Sequence, residues 1–280
     1  MTGVSLSSLS MDLEENGDLI FTEHFVPELH DLEKIRHFRR SQISDYPSLA
    51  IVLATSRPDG LLKILSQLEK QSLATFQLFL GIHGYELTAN HHEIIERLEN
   101  RRILVNVQNF EKSITLGVML TSLANASSNE FIAKMDDDDI YGPQYLQDSL
   151  DAIIINGADL VGCALNYIYL EKIDLTVRRF NENGISSVEH WSDWVCGGTI
   201  LVRNSIGKES GWFGEAKNGV DHFLLTAVSA NGGKIWRKYG AGYIYCRSVD
   251  GHTFKTAFSE FLELSIEQNV GIWRNKVFGT

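Results

Sequence analysis

The sequence predicts an α/β fold, a mostly parallel central sheet flanked by helices. Three observations predict it. Between residues 49 and 135, short runs that are apolar throughout alternate with segments of helical spacing, and strands apolar on both faces belong to parallel sheets covered on both sides. Four consecutive carboxylates, Asp136, Asp137, Asp138 and Asp139, follow directly on the apolar run 131–135 and precede Ile140-Tyr141-Gly142-Pro143. The chain has 280 residues, 44% hydrophobic and 22% charged, enough for one large domain or two small ones around a substantial core.

The elements follow in order. Residues 1–47 read as a polar lead-in whose 29–35 portion has helical spacing and ends in Arg36-His37-Phe38-Arg39-Arg40. That basic cluster is expected to be a solvated helix face, with an anion or membrane contact as the functional alternative. Residues 49–54 read as a buried strand, 59–71 as a helix and 76–82 as a second strand. The alternation continues with a helix over 91–100, a strand over 103–107, a helix over 116–126 and the strand 131–135 that feeds the aspartates. In such a sheet ligands bind beyond the carboxyl ends of the strands.

After Pro143 a helix is expected over 144–156, a strand over 160–170 and a paired segment over 176–180. The second half is richer in Gly and Trp. Its landmarks are Trp191, Trp194, Cys196-Gly197-Gly198-Thr199, Gly211-Trp212-Phe213-Gly214, Asp221-His222 and Gly251-His252-Thr253. A C-terminal helix over 256–268 would place Phe258, Phe261, Leu262, Leu264 and Ile266 in one apolar stripe against the core.

A net charge of -11 argues against a nucleic-acid surface, which needs clustered Lys and Arg. Cys163, Cys196 and Cys246 are an odd number without CxxC spacing, so neither a disulfide framework nor a zinc cluster is indicated and a reducing cytoplasm is expected. The first residues do not read as a secretory signal, and no run reaches the ~20 apolar residues of a spanning helix. A soluble protein, at most peripheral to a membrane, is expected.

The acidic run carries the chemistry. Clustered carboxylates repel unless a cation or a donated hydrogen bond compensates them, and a divalent metal is the expected cation. An EF-hand is excluded, because counting from Asp136 puts Ile140 and Tyr141 at the fifth and sixth positions. An exposed acidic face remains as the alternative, although such runs are not usually spliced between an apolar strand and a Gly-Pro turn.

These pieces, in this order, resemble a GT-A glycosyltransferase of the inverting family 2 over residues 49 to about 253. The segment Leu49-Ala50-Ile51-Val52-Leu53-Ala54-Thr55-Ser56-Arg57 resembles the first strand and nucleotide loop, and residues 131–139 resemble the DxD strand. Residues 197–203 followed by Gly211-Trp212-Phe213 resemble the acceptor-side segment, and Val220-Asp221-His222-Phe223 the Glu-Asp catalytic segment. The resemblance implies a lead-in (1–47), a GT-A catalytic domain (48–255) with a nucleotide-sugar half (48–143) and an acceptor half (144–255), and the C-terminal helix (256–280).

It further implies a nucleotide-sugar donor, by default a UDP-sugar, and a saccharide or glycan acceptor, in polysaccharide biosynthesis. Thr55, Ser56, Arg57, His83, Asp136 and Asp137 would seat the nucleotide sugar, and Asp138 would hold Mg²⁺ or Mn²⁺ with His252 as a second ligand. Asp221 would be the general base, the alternative being a helix N-cap. Arg247 is a candidate for the pyrophosphate, or a surface ion pair. Trp194 and Trp212 are acceptor contacts, or core.

Two departures qualify the resemblance. His83 stands where many relatives end the second strand with an acid, and the helix 116–126 lacks the Arg-Asn pair common in the family. Two further readings stay open. One is a catalytically silent GT-A domain that binds a glycan or a protein; the other is a sugar-phosphate nucleotidyltransferase, against which stands the lack of a Gly-rich phosphate loop after Thr55.

Overall fold

The computed structural model describes residues 4–5, 11–13, 19–21, 29–179, 188–248, 258–263 and 265–273. Short strands β1 (Val4–Ser5), β2 (Met11–Leu13) and β3 (Leu19–Phe21) precede α1 (Leu29–Ser41). The expected alternation follows: β4 (Leu49–Thr55), α2 (Pro58–Glu69), β5 (Gln77–His83), α3 (Ala89–Asn100), β6 (Leu104–Phe110), α4 (Leu116–Ala126) and β7 (Phe131–Lys134). Next come β8 (Ile140–Tyr141), α5 (Tyr145–Asn156), β9 (Leu160–Cys163), β10 (Tyr167–Leu170), β11 (Leu175–Arg179) and β12 (Val188–Trp191). The described chain continues with β13 (Leu201–Arg203), α6 (Asn204–Glu209), α7 (Val220–Ala230), β14 (Ile235–Lys238), β15 (Tyr243–Arg247), α8 (Phe258–Glu263) and β16 (Ser265–Val270).

The central sheet has the order β1-β12-β14-β9-β13-β7-β4-β5-β6. Strands β4, β5, β6 and β7 are mutually parallel, and β9 and β14 run with them through the antiparallel β13. This is the mixed α/β architecture with a mostly parallel sheet that the sequence predicts. Strand order reverses between β4 and β7, since β5 and β6 extend one way and β7 the other. Such a switch point opens a crevice at the carboxyl ends of its two strands.

The apolar run of β4 is continuous because both faces are covered. Leu49, Ile51 and Leu53 join the cluster of Leu61, Ile64, Leu65 and Leu68 from α2 and of Ile94, Ile95 and Leu98 from α3. Ala50 and Val52 join Leu120, Leu123 and Ala124 of α4, with Trp212, Phe213, Leu224 and Val228. The spacing of the α2 residues puts them on one helix face. Each fully buried Leu or Ile contributes about 1.5–3 kcal/mol.

Three expectations are corrected here. The strand expected over 160–170 is two strands, β9 in the central sheet and β10 in a second sheet ordered β16-β11-β10-β15-β8. The chain turns between them at buried Asn166, whose amide N–H reaches Ala164 O at 3.0 Å and whose Oδ1 accepts from Gly240 N–H at 2.9 Å. The C-terminal helix ends at Glu263, because residues 265–270 pair antiparallel with β11 as β16, whose backbone groups therefore leave the helix for a ladder.

The basic cluster of α1 is also not a solvated face. Arg36 Nη2 lies 2.7 Å from Asp148 Oδ2, Arg40 Nε 3.0 Å from Asp151 Oδ2, and Arg39 pairs with Glu189. These arginines fasten α1 to α5 and β12. Among the described residues, no helix is long and apolar enough to cross a membrane.

Candidate active site

The crevice at the switch point gathers side chains from β4, β7 and α7. Thr55 ends β4, and its hydroxyl donates to Asp137 Oδ2; Arg57, two residues on, pairs through its guanidinium with Asp137 and, at 2.9 Å, with Asp138 Oδ2. Ser56 is exposed between them. Gly60 opens the first turn of α2 here, since a Cβ on it would stand 2.9 Å from Asp137 Oδ2.

The four aspartates divide by burial. Asp137 and Asp139 are 3% and 4% exposed, whereas the side chains of Asp136 and Asp138 are 35% and 29% exposed. The buried pair is committed inside the protein. Asp139 Oδ2 accepts from the Tyr243 hydroxyl at 2.6 Å and Oδ1 from Cys246 N–H at 2.9 Å. Burial, reinforced by Asp138 and Asp136, holds the Asp139 carboxyl well above the usual carboxylate range. Asp136 is raised to about 6 by burial, with Lys134 opposing the rise and Asp221 and Asp138 adding to it.

Asp221 enters from the first turn of α7. Gly219 caps that helix in the left-handed region at φ 69°, so Asp221 is not the N-cap and its side chain is released toward the crevice. It meets Lys134, whose Nζ lies 3.0 Å from Asp221 Oδ1, 2.8 and 2.9 Å from the Asp136 oxygens and 3.2 Å from Gly197 O. Burial pulls the Lys134 pKa down, but Asp136 and Asp221 outweigh it and raise it, keeping the ammonium charged. Gly197 and Gly198 line the same crevice. A Cβ on Gly197 would run into the Asp221 carboxylate, and one on Gly198 would stand 2.7 Å from Asp139 Oδ2.

The remaining predicted residues divide. His83 ends β5 with a buried Nε2 that has no hydrogen-bond partner among the described residues. Trp194 is 43% exposed on the loop that leads to Gly197. Trp212, proposed as an acceptor contact, is corrected to core: it is 1% exposed, its ring sits where Gly207 has no side chain, and its indole N–H donates to Asn125 Oδ1 at 2.8 Å. Arg247 is buried, not on the surface: it is 3% exposed, its Nη1 donates to the Tyr245 hydroxyl at 3.1 Å, and its Cζ lies 5.9 Å from the Phe261 ring centroid. His252 lies outside the described residues.

Several contributors are not among the residues the sequence nominates. Lys134 is one, and its signal is a lysine inside a fully buried strand. Tyr85 is another; burial and the charge of Asp137 push its hydroxyl up to about 12, while the Thr55 hydroxyl opposes. Tyr141 takes the Asp136 N–H at 2.9 Å and donates to Gly198 O at 2.7 Å, and its ring packs 5.4 Å from that of Tyr243. Tyr141 and Tyr243 thus pack against each other and hydrogen-bond to Asp136 N–H and Asp139.

Asp138 offers partly exposed carboxylate oxygens, which suit a hard divalent cation such as Mg²⁺ or Mn²⁺. Among the described residues, no three His, Cys, Asp or Glu side chains converge to hold a metal by themselves.

No family model matches the chain, and no curated protein matches it. Solved structures do. The chain is similar to S. aureus TarS 1-349 in complex with UDP, at 16% identity and a TM-score of 0.56 over 72% of this chain and 61% of that one. It is similar to the same protein in complex with UDP-GlcNAc, at 15% identity and a TM-score of 0.55 over 77% and 64%. What the chains share is the fold. The present chain spans about three fifths of the first TarS structure, 60% of its length.

Proposed function

We propose that the protein is a metal-dependent, inverting glycosyltransferase that moves a sugar from a nucleotide-sugar donor, a UDP-sugar, onto a hydroxyl of a saccharide acceptor. One observation carries the reading: partly exposed Asp136 and Asp138 just past β7 stand beside Thr55 and Arg57 at the end of β4, with Asp221 facing them from α7 across Lys134. The fold supports it, because the similar TarS structures carry UDP and UDP-GlcNAc.

In this reading Thr55, Ser56, Arg57, His83, Asp136 and Asp137 seat the nucleotide. Asp137 acts through Thr55 and Arg57, since those two hold its oxygens. The unpartnered His83 Nε2 is a hydrogen-bonding group for the base. Asp138 would hold Mg²⁺ or Mn²⁺, which supplies charge neutralisation at the diphosphate as it departs. His252 is proposed as a second ligand on family resemblance alone.

Asp221 takes the proton of the acceptor hydroxyl as that oxygen attacks the anomeric carbon opposite the departing diphosphate, which inverts the configuration. Trp194 offers an exposed aromatic face for the acceptor sugar. The test is UDP release from UDP-sugars with and without saccharide acceptors, in wild type and Asp221→Asn. Acceptor-dependent release lost in Asp221→Asn, with UDP affinity kept, supports the proposal; UDP binding without turnover in wild type replaces it with a binding module.

A further inference from the structure

We infer that Lys134 is a positioning residue that ties the catalytic base to the donor site, an inference that rests on the glycosyltransferase reading above. The lysine is out of character with its strand. Phe131, Ile132 and Ala133 are at most 1% exposed and apolar, and Lys134 is 2% exposed among them. A buried ammonium costs several kcal/mol in lost hydration, so an apolar residue of similar length would serve packing better. What the ammonium does instead is join two carboxylates from separate parts of the chain, Asp136 at 2.8 Å and Asp221 at 3.0 Å.

The arrangement fixes which oxygen of Asp221 can accept a proton from substrate. Oδ1 is buried and ion-paired with Lys134 at 3.0 Å, with no hydrogen bond among the described residues, and Oδ2 is the oxygen that a Cβ on Gly197 would strike. Gly197 carries no side chain and also presents its carbonyl to Lys134 at 3.2 Å. Oδ2 therefore lies in the slot that this glycine leaves open, and Lys134 keeps it there. Without the ammonium the Asp221 side chain regains its rotamers and has no fixed aim at an acceptor hydroxyl. A base misplaced by an ångström forfeits much of its rate advantage.

The test is a double-mutant cycle on kcat, with Lys134→Met, Asp221→Asn and the double variant, and with UDP titration to confirm a folded donor site. Lys134→Met is expected to lower kcat by about 10- to 100-fold, and to lower it no further once Asp221 is Asn, because residues that act through one another are not additive. The full fall persisting in the Asp221→Asn background would overturn the inference. So would a lower melting temperature with unchanged kcat per folded molecule, the signature of a merely structural lysine.

Should Lys134→Met fail to fold, Lys134→Met/Asp136→Asn removes one charge of each sign and is compared with Asp136→Asn alone; the same fall is expected, and equal kcat overturns the assignment. A wild type that neither binds UDP nor transfers defeats the glycosyltransferase reading itself, and this inference with it. That outcome is distinct from an active wild type whose cycle is additive.

Discussion

Arg57 Nη1 lies 2.9 Å from Asp138 Oδ2, so the residue just past β4 closes onto the acid proposed to hold the metal. The same guanidinium also grips buried Asp137, an arrangement in which it can turn a free N–H toward a phosphate when Asp138 takes a cation. Arg57→Gln is therefore expected to weaken UDP binding in Mn²⁺ by about tenfold, roughly 1.4 kcal/mol. Isothermal titration measures it, and an unchanged Kd would remove Arg57 from the donor site.

Asp139 carries a pH signature. Its folded-state pKa is raised by burial and by Asp138 and Asp136, so the folded protein holds this proton more tightly than the unfolded chain. The associated stability is present below the ordinary carboxylate pKa of about 4 and is lost as pH rises through the folded pKa. Asp139→Asn keeps an acceptor for Cys246 N–H and removes that loss. Its melting temperature should fall less than that of wild type as pH is raised from about 4; parallel curves would contradict the assignment.

The two tryptophans should separate cleanly. Trp212→Ala empties a 1% exposed site and is expected to cost about 3–5 kcal/mol in urea unfolding. Trp194→Ala removes a 43% exposed ring, should leave stability within ~0.5 kcal/mol and should raise the acceptor KM alone. A rise in donor KM instead would place Trp194 elsewhere.

The fastening of α1 makes a second contrast. Arg39 and Glu189 are 14% and 8% exposed, and the glutamate also takes the Trp236 indole N–H at 3.3 Å. Arg39→Ala leaves that carboxylate buried without its cation and should cost about 3–5 kcal/mol. Arg97→Ala, at a pair 41% and 28% exposed, should cost at most ~1 kcal/mol. Urea unfolding of both variants checks the difference.

What the sequence makes legible follows from physics that is local. The β4 run is apolar at every position because both its faces are covered, and the acids after β7 stand out because strand ends at a switch point open into a crevice. What escapes is set by partners distant in sequence. The cluster Arg36-His37-Phe38-Arg39-Arg40 reads as solvated until Asp148, Asp151 and Glu189 arrive opposite it. Trp212 reads as a sugar platform until Gly207 leaves room for its ring.

The same holds at the C-terminus and in the site. Residues 265–268 carry enough helical spacing to suggest a helix, but an available edge on β11 draws them into a strand. Lys134 is plain in the sequence as a lysine in a buried run, yet its meaning depends on Asp221, which reaches it only through the left-handed Gly219 and the bare backbone of Gly197. Asp137 shows the limit of reading a motif by position. It lies within the acidic run, but its oxygens belong to Thr55 and Arg57.

The central claim is tested most directly by the thermal stability of wild type and Asp138→Ala against a panel of nucleoside diphosphates, with and without Mn²⁺ or Mg²⁺, because a ligand bound to the native state raises the melting temperature. The account predicts a metal-dependent rise with UDP that is absent in Asp138→Ala; no rise with any nucleoside diphosphate, with or without metal, would contradict it.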